Sequence, residues 1–145
     1  MDVFGFLMQG FGVALQPANL GFCAFGVIVG TLVGALPGIG PTGAIAMLLA
    51  ATYKLGPTAA MIMLAGIYYG TQYGGTITAV LMGLPGEASS VVTILDGYAL
   101  AKQGKAGKAL GIAAIGSFIG GTAGVVGLMF LGPALANMAL RFGPA

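Results

Sequence analysis

The sequence predicts an all-α membrane protein, polytopic, with transmembrane helices that break or re-enter the bilayer at two Leu-Pro-Gly loops. Three observations predict it. Hydrophobic residues make up 58% of the 145 residues and charged residues 6%, against about a quarter charged in soluble domains. No charged side chain lies between Asp2 and Lys54, between Lys54 and Glu87, or between Lys108 and Arg141; each gap exceeds the roughly 20 residues that cross a bilayer as a helix. The apolar runs are interrupted at Leu36-Pro37-Gly38 and Leu84-Pro85-Gly86. There proline lacks a backbone donor and glycine lacks a side chain to hold it in the helical basin. Residues 1–145 read as a single membrane domain.

The composition also narrows the function. The chain has no histidine and one cysteine, Cys23, so neither a disulfide framework nor a thiolate metal site forms within it. The commonest general base is missing, and a hydrolase built on Ser89 or Ser90 would have no histidine to activate the hydroxyl. These absences point away from an enzyme. No cofactor is expected, and no metal beyond a coupling sodium ion. The net charge of +2 is no footprint for nucleic acid. The N-terminus, charged only by Asp2, does not read as a signal peptide.

Residues 2–16 read as an N-terminal segment lying on the first span, although Asp2, Gln9 and Gln16 recur every seven residues as on the polar face of an interfacial helix. Residues 17–36 read as a transmembrane helix. Gly26, Gly30, Gly34 and Gly38 fall on one stripe of it, which lets another backbone approach closely. At the first break Pro41 can open a new helix, with Gly40 as a cap that has no oxygen to satisfy the first-turn amides. Those amides and the Thr42 hydroxyl are then available to an anion at the positive end of the helix dipole. The arm from Pro41 to Tyr53 would measure only about 20 Å, against about 30 Å of hydrocarbon. With Lys54 at a surface, the tip would therefore lie inside the membrane, as in transporters that aim half-helices at anionic substrates.

Pro57 opens the next helix, with Gly56 or Thr58 near its cap. It carries a second glycine ridge, Gly66, Gly70 and Gly74, and a polar cluster, Thr71, Gln72, Tyr73, Thr76 and Thr78. The cluster reads either as interhelical hydrogen bonding or as a functional site. Gly74-Gly75 is a candidate unwound turn whose carbonyls, with Thr76, meet a cation. At the second break a hydroxyl again falls six residues after the leucine, Ser90 matching Thr42. Glu87 reads equally as a first-turn carboxylate on a helix dipole or as a coupling-ion ligand. Residues 91–103 read as a helix stopped by Gly104, with Asp96 expected to pair with a lysine or the backbone. Lys102, Lys105 and Lys108 read as a cytoplasmic loop. Residues 109–131 form a further span with Gly116, Gly120 and Gly124 in register, broken or kinked at Gly132-Pro133. Lys54 and the lysine loop share a side only if residues 57–100 return to where they entered.

The two Leu-Pro-Gly breaks, the run Tyr68-Tyr69-Gly70-Thr71-Gln72-Tyr73-Gly74-Gly75 and the run from Asp96-Gly97-Tyr98 to Lys105-Ala106-Gly107 together resemble the large membrane subunit of the tripartite tricarboxylate transporters. The resemblance covers essentially the whole chain. That subunit is several times longer, with about a dozen spans, so the chain is expected to be its N-terminal part. The resemblance implies a multi-pass secondary carrier of the bacterial inner membrane, accompanied by a small membrane subunit and a periplasmic solute-binding protein. Citrate-like tricarboxylates or other carboxylates are the implied substrates, driven by sodium ions or protons. The residues taken as substrate-binding are Pro37, Gly38, Gly40, Pro41, Thr42, Gly43, Gly86, Ser89 and Ser90; Gly74, Gly75, Thr76 and Glu87 are taken as cation-coupling. The rival readings are a non-transporting assembly element whose glycine ridges pack helices, and a pore-forming oligomer.

Overall fold

The computed structural model describes residues 3–141; Asp2, the Arg141 side chain and the closing Gly143-Pro144 pair lie outside the described residues. The regular structure is helical, with no strand among the described residues. Contacts divide the chain into two compact units, Met1–Leu110 and Gly111–Ala145.

In the first unit, α1 (Val3–Ala14) is joined to α2 (Pro17–Gly34) by a tight corner. Pro17 fits the first helical turn because that turn's N–H has no partner to lose, and buried Asn19 closes the corner by donating to the Val13 carbonyl at 2.8 Å. Phe4, Phe6 and Phe11 of α1 stay exposed.

The frame of the unit is α2 against α4 (Pro57–Met82), which Pro57 opens behind an extended Gly56. The two glycine ridges pack on each other. A methyl group added at Gly26 or Gly30 would strike the Met63 or Ile67 backbone, and one at Gly66 would lie 2.7 Å from the Cys23 carbonyl oxygen. At Gly70 and Gly74 it would lie 2.9 Å from the backbone nitrogens of Thr31 and Ala35. Only residues without a Cβ allow this approach, which brings Cα–H groups onto facing carbonyls. Contact partners rise in number together along both helices, so α2 and α4 run parallel. Gly38 is not part of the ridge, because α2 ends four residues before it.

Between them the chain returns as α3 (Gly40–Leu48), continued by a 3₁₀ turn over Leu49–Thr52. Ala44 of α3 is buried with Met63 and Ile67 of α4, and Phe22, Val33, Ile45 and Leu48 pack around them. The helix begins one residue earlier than expected: Ile39, not Gly40, is the N-cap, and Gly40 enters the helix at φ 63°.

α4 is continuous over its 26 residues, about 39 Å at 1.5 Å per residue. The expected unwinding at Gly74-Gly75 does not occur, since both glycines serve close packing. The threonines of the polar cluster do not bond between helices. Thr71, Thr76 and Thr78 donate back to Ile67, Gln72 and Gly74 carbonyls at 2.7, 3.2 and 3.0 Å, the i−4 bond open to a hydroxyl inside a helix. Tyr73 does bond away from α4, donating to the Leu110 carbonyl at 3.3 Å.

Gly83, at φ 67°, caps α4. The chain then doubles back through Pro85 and Gly86 to the level of Gly75 before turning again through a 3₁₀ turn, Ala88–Ser90, into α5 (Val91–Thr93). A π turn over Ile94–Tyr98 joins α5 to α6 (Ala99–Lys102). This stretch climbs alongside α4: Gly97 sits on the Val80 side chain and the Tyr98 ring covers Gly83. Lys102 Nζ stands 4.5 Å from the Tyr98 ring centroid, a cation–π contact. Lys54, just before α4 begins, and Lys102, beside its end, therefore lie at opposite ends of this unit. Asp96 is exposed in the π turn and makes no side-chain hydrogen bond or ion pair among the described residues, contrary to expectation. Gly104, at φ 75°, turns the chain into α7 (Ala106–Arg141).

The second unit is the remainder of α7. The helix runs on through Gly132-Pro133, so the expected break there does not occur. Pro17–Gly34 and Ala106–Gly132 are the two described helices long and apolar enough to cross a membrane. No residue of the ridge Gly116, Gly120, Gly124 has a neighbour that an added methyl group would meet within 4 Å.

Candidate functional site

The two Leu-Pro-Gly loops, far apart in sequence, meet in space. The Gly38 amide donates to the Gly86 carbonyl at 3.2 Å. A methyl group on Gly86 would strike the Gly75 Cα and come within 2.9 Å of the Gly34 carbonyl oxygen, so the second tip is pressed into the point where α2 ends against α4. Around this junction opens a cleft of about 430 Å³, lined by Gly38, Gly40, Pro41, Pro85, Gly86, Glu87, Ala88 and Val91. The volume lies within the usual range for small-molecule sites.

Two helix starts face this cleft from opposite directions, α3 running away on one side and the helical stretch after Glu87 on the other. Their chemistry differs. At the first tip Ile39 has no side-chain cap bond, and an N-cap carbonyl accepts the first intrahelical bond. The Gly43 amide is thereby committed to Ile39 and Pro41 has no N–H, leaving the amides of Gly40 and Thr42 as first-turn donors without an intrahelical acceptor. At the second tip Glu87 and Ser90 form a capping box. The Glu87 amide donates to Ser90 Oγ at 3.2 Å, and the Ser90 hydroxyl donates to the Glu87 carbonyl at 2.8 Å.

The Glu87 carboxylate is held by side chains of two elements. The Ser89 hydroxyl donates to Oε1. With its amide nitrogen turned toward the acid, Gln72 of α4 donates to both carboxylate oxygens, to Oε2 at 3.0 Å, while its own oxygen accepts from the Tyr68 hydroxyl at 3.2 Å.

Of the residues taken from sequence as substrate-binding, Gly38, Gly40, Pro41 and Gly86 line the cleft. Pro37 and Thr42 are exposed and lie outside the lining, and Gly43 packs toward the Ile39 side chain. Ser89 reaches the cleft only through Glu87, and Ser90 is buried in its own cap. Of the cation-coupling set, Glu87 lines the cleft and Gly75 packs beneath Gly86 and Glu87. The Gly74 carbonyl accepts from Thr78, and Thr76 donates to Gln72, so these oxygens do not converge with Glu87. Sequence reading missed Gln72 and Tyr68 as partners of Glu87. The available signal was their i, i+4 spacing, which puts both on one face of a helix with no charged residue.

Comparison with known proteins gives two matches of consequence. A profile of the Tripartite tricarboxylate transporter TctA family matches residues 20–145. An uncharacterized 52.8 kDa protein in the TAR-I ttuC' 3' region of Agrobacterium vitis is 54% identical over 143 residues. That alignment takes in 99% of this chain, which spans 28% of the length of the relative. No solved structure matches significantly. The profile includes both Leu-Pro-Gly tips, the Gln72–Glu87 pair and all of α7, and the chain therefore belongs to the TctA family, a family of tripartite tricarboxylate transporter components.

Proposed function

We propose that this chain forms the substrate-binding part of a secondary carrier for carboxylate anions, citrate-like tricarboxylates first among them, working by alternating access within a longer, multi-pass subunit of the bacterial inner membrane. One observation carries the reading: the Gly38–Gly86 hydrogen bond, which joins two broken segments around a cleft with free backbone donors on one side. A ligand carboxylate accepts from the Gly40 and Thr42 amides at the positive end of α3, with the Thr42 hydroxyl at the margin. Gly38, Pro41 and Gly86 shape the pocket, and Pro37 and Gly43 fix the turn. Ser89 and Ser90 act through the second tip rather than by direct contact.

In this reading the two tips meet within the bilayer, beside the parallel helices α2 and α4. Irregular backbone is tolerated at that depth because it lines a cavity. The lysine-rich end at Lys102, Lys105 and Lys108 is cytoplasmic under the positive-inside rule, which puts Lys54 on the periplasmic side. A small membrane subunit and a periplasmic solute-binding protein complete the transporter, and a gradient of sodium ions or protons drives it.

The test is uptake of radiolabelled citrate into proteoliposomes that hold the full-length subunit, its small partner and its binding protein. Binding-protein-dependent accumulation is expected. Absence of uptake for citrate and for a wide panel of other carboxylates, from a complex demonstrably assembled and inserted, would overturn the carrier reading. That result would favour the assembly role to which the uncovered α7 ridge is suited.

A further inference from the structure

The cleft holds one ionisable side chain among its lining residues, and it is an acid. Gly38, Gly40, Pro41, Pro85, Gly86, Ala88 and Val91 bring no charge to offset a carboxylate ligand, while Glu87 brings another carboxylate. Two like charges in one site disfavour each other, so a positive charge at Glu87 favours loading of the anion.

A metal ion fits this position badly. Hard cations are held by several converging oxygens, whereas here Gln72 points an N–H donor at the carboxylate. The nearest other side-chain oxygen is the Ser89 hydroxyl, which donates to Glu87, while the Gly74, Thr76 and Ser90 oxygens are bonded within their own elements and do not converge on the carboxylate. Among the described residues there is no group of three or more His, Cys, Asp or Glu side chains placed to hold a metal.

A proton fits it well. In the ionised state the Ser89 hydroxyl, the Gln72 amide and, within the capping box, the Ser90 backbone amide donate to the carboxylate. When one oxygen gains a proton it becomes a donor. A serine hydroxyl both donates and accepts, so Ser89 can reverse its bond, while Gln72, fixed at its other end by the Tyr68 hydroxyl, keeps donating to the second oxygen. Both protonation states are therefore accommodated without moving the second tip.

No other charge competes for this role. Tyr68 is the titratable group that faces Glu87 from α4, through Gln72, and the first tip supplies none. On the helical stretch after the tip, Asp96 is exposed in the π turn and Lys102 stands over Tyr98.

We propose that Glu87 carries the co-transported proton of this site and that Gln72 is its positioning residue. One proton enters from the outer aqueous phase onto a Glu87 oxygen as the anion binds, and leaves from that oxygen on the inner side after the anion is released. The proposal rests on the carrier reading above and specifies its coupling.

The test uses the full-length carrier with its partner subunits in proteoliposomes and radiolabelled citrate, or whichever carboxylate the unsubstituted protein transports. Accumulation under an inward proton gradient without sodium is compared with exchange against internal unlabelled substrate. The unsubstituted carrier is expected to do both. Glu87→Gln, a permanently neutral amide, is expected to lose accumulation under the proton gradient while some exchange above that of protein-free vesicles remains. Gln72→Leu removes a donor to the carboxylate, so the pH midpoint of exchange should move while transport is retained. This second arm decides the matter should Glu87→Gln fail to insert. A structural role alone would lower exchange without moving that midpoint, which would overturn the assignment of Gln72. Accumulation by Glu87→Gln under the proton gradient, or uptake driven by sodium with no response to pH, would overturn the proton role and leave the carrier reading standing. No carboxylate transport under any gradient would overturn both.

Discussion

At the first Leu-Pro-Gly tip the chain turns on two glycines, Gly38 at φ 91° and Gly40 at φ 63°, and enters α3 with no side-chain cap. At the second it turns through Glu87 and Ser90, which close a capping box on each other. The sequence makes the tips look alike, with a hydroxyl six residues after each leucine, yet those hydroxyls have opposite fates. Thr42 is exposed and makes no hydrogen bond among the described residues, while Ser90 is buried with its hydroxyl engaged twice. A helix start that satisfies its own donors is rigid and has none to offer a ligand. One that leaves donors free can bind an anion but must be held in place from outside. In the proposed carrier this difference gives anion contact to the first tip, and support and the acidic group to the second.

The largest effect on this arrangement is expected from Gly86→Ala. The added methyl group would meet the Gly75 backbone and the Gly34 carbonyl, neither of which can move without separating α2 from α4. Overpacking of this kind costs about 1–3 kcal/mol, so initial uptake should fall about tenfold or more. Gly75→Ala serves as the control, because a methyl there meets Glu87 and Gly86 at 3.4 Å, ordinary contact distance, and should be much milder. Equal losses in the two variants would mean that the tip junction does not set the rate.

Next comes the backbone of the first tip. Space is not the issue at Gly38 or Gly40, since a methyl group at either would meet nothing within 4 Å; the cost lies in holding an L-residue at positive φ, about 1–2 kcal/mol. Gly38→Ala and Gly40→Ala should raise the citrate concentration for half-maximal uptake about five- to thirtyfold. Gly40→Asn should be closer to normal, because asparagine tolerates the left-handed region. If alanine and asparagine are equally harmful at Gly40, conformation is not what that glycine provides.

The breaks themselves could be read from the sequence, because paired proline and glycine act locally: α2 and α4 end within a few residues before Pro37-Gly38 and Pro85-Gly86. The ridges on α2 and α4 were legible for a similar reason, four-residue spacing being a property of one helix. What required the third dimension was pairing. Nothing local says that Gly26, Gly30 and Gly34 meet Gly66, Gly70 and Gly74 in parallel, or that Gly38 reaches Gly86. Gly74-Gly75 misled because a glycine pair weakens a helix in isolation, whereas here it lets α2 and the second tip approach α4 from two sides. Gly132-Pro133 misled because a proline costs a helix one bond, and a 36-residue helix has many others. Gln72 was visible as a polar residue in an apolar helix, but its partner lies beyond the second break.

The smaller effects separate the tips most cleanly. Ser90→Ala removes a capping hydroxyl that faces its own tip and no ligand. It should cost about 1 kcal/mol of stability, read as a lower midpoint of thermal unfolding in detergent, with the citrate concentration for half-maximal uptake nearly unchanged.

Thr42→Val should do the reverse, and its effect is the smallest. The hydroxyl is exposed and lies outside the cleft lining, so valine disturbs no packing and breaks no hydrogen bond within the protein. The Thr42 amide, which valine retains, is the stronger contact because it sits on the axis of α3, where the dipole adds to it. Losing one neutral hydrogen bond at the margin of a site costs about 0.5 kcal/mol, so apparent affinity should fall about two- to threefold with the thermal midpoint unchanged. An affinity equal to that of the unsubstituted carrier would assign anion contact at the first tip to its backbone alone. A shift in the thermal midpoint would mean instead that Thr42 is bonded within the full-length subunit, and that the two tips are more alike than their caps suggest.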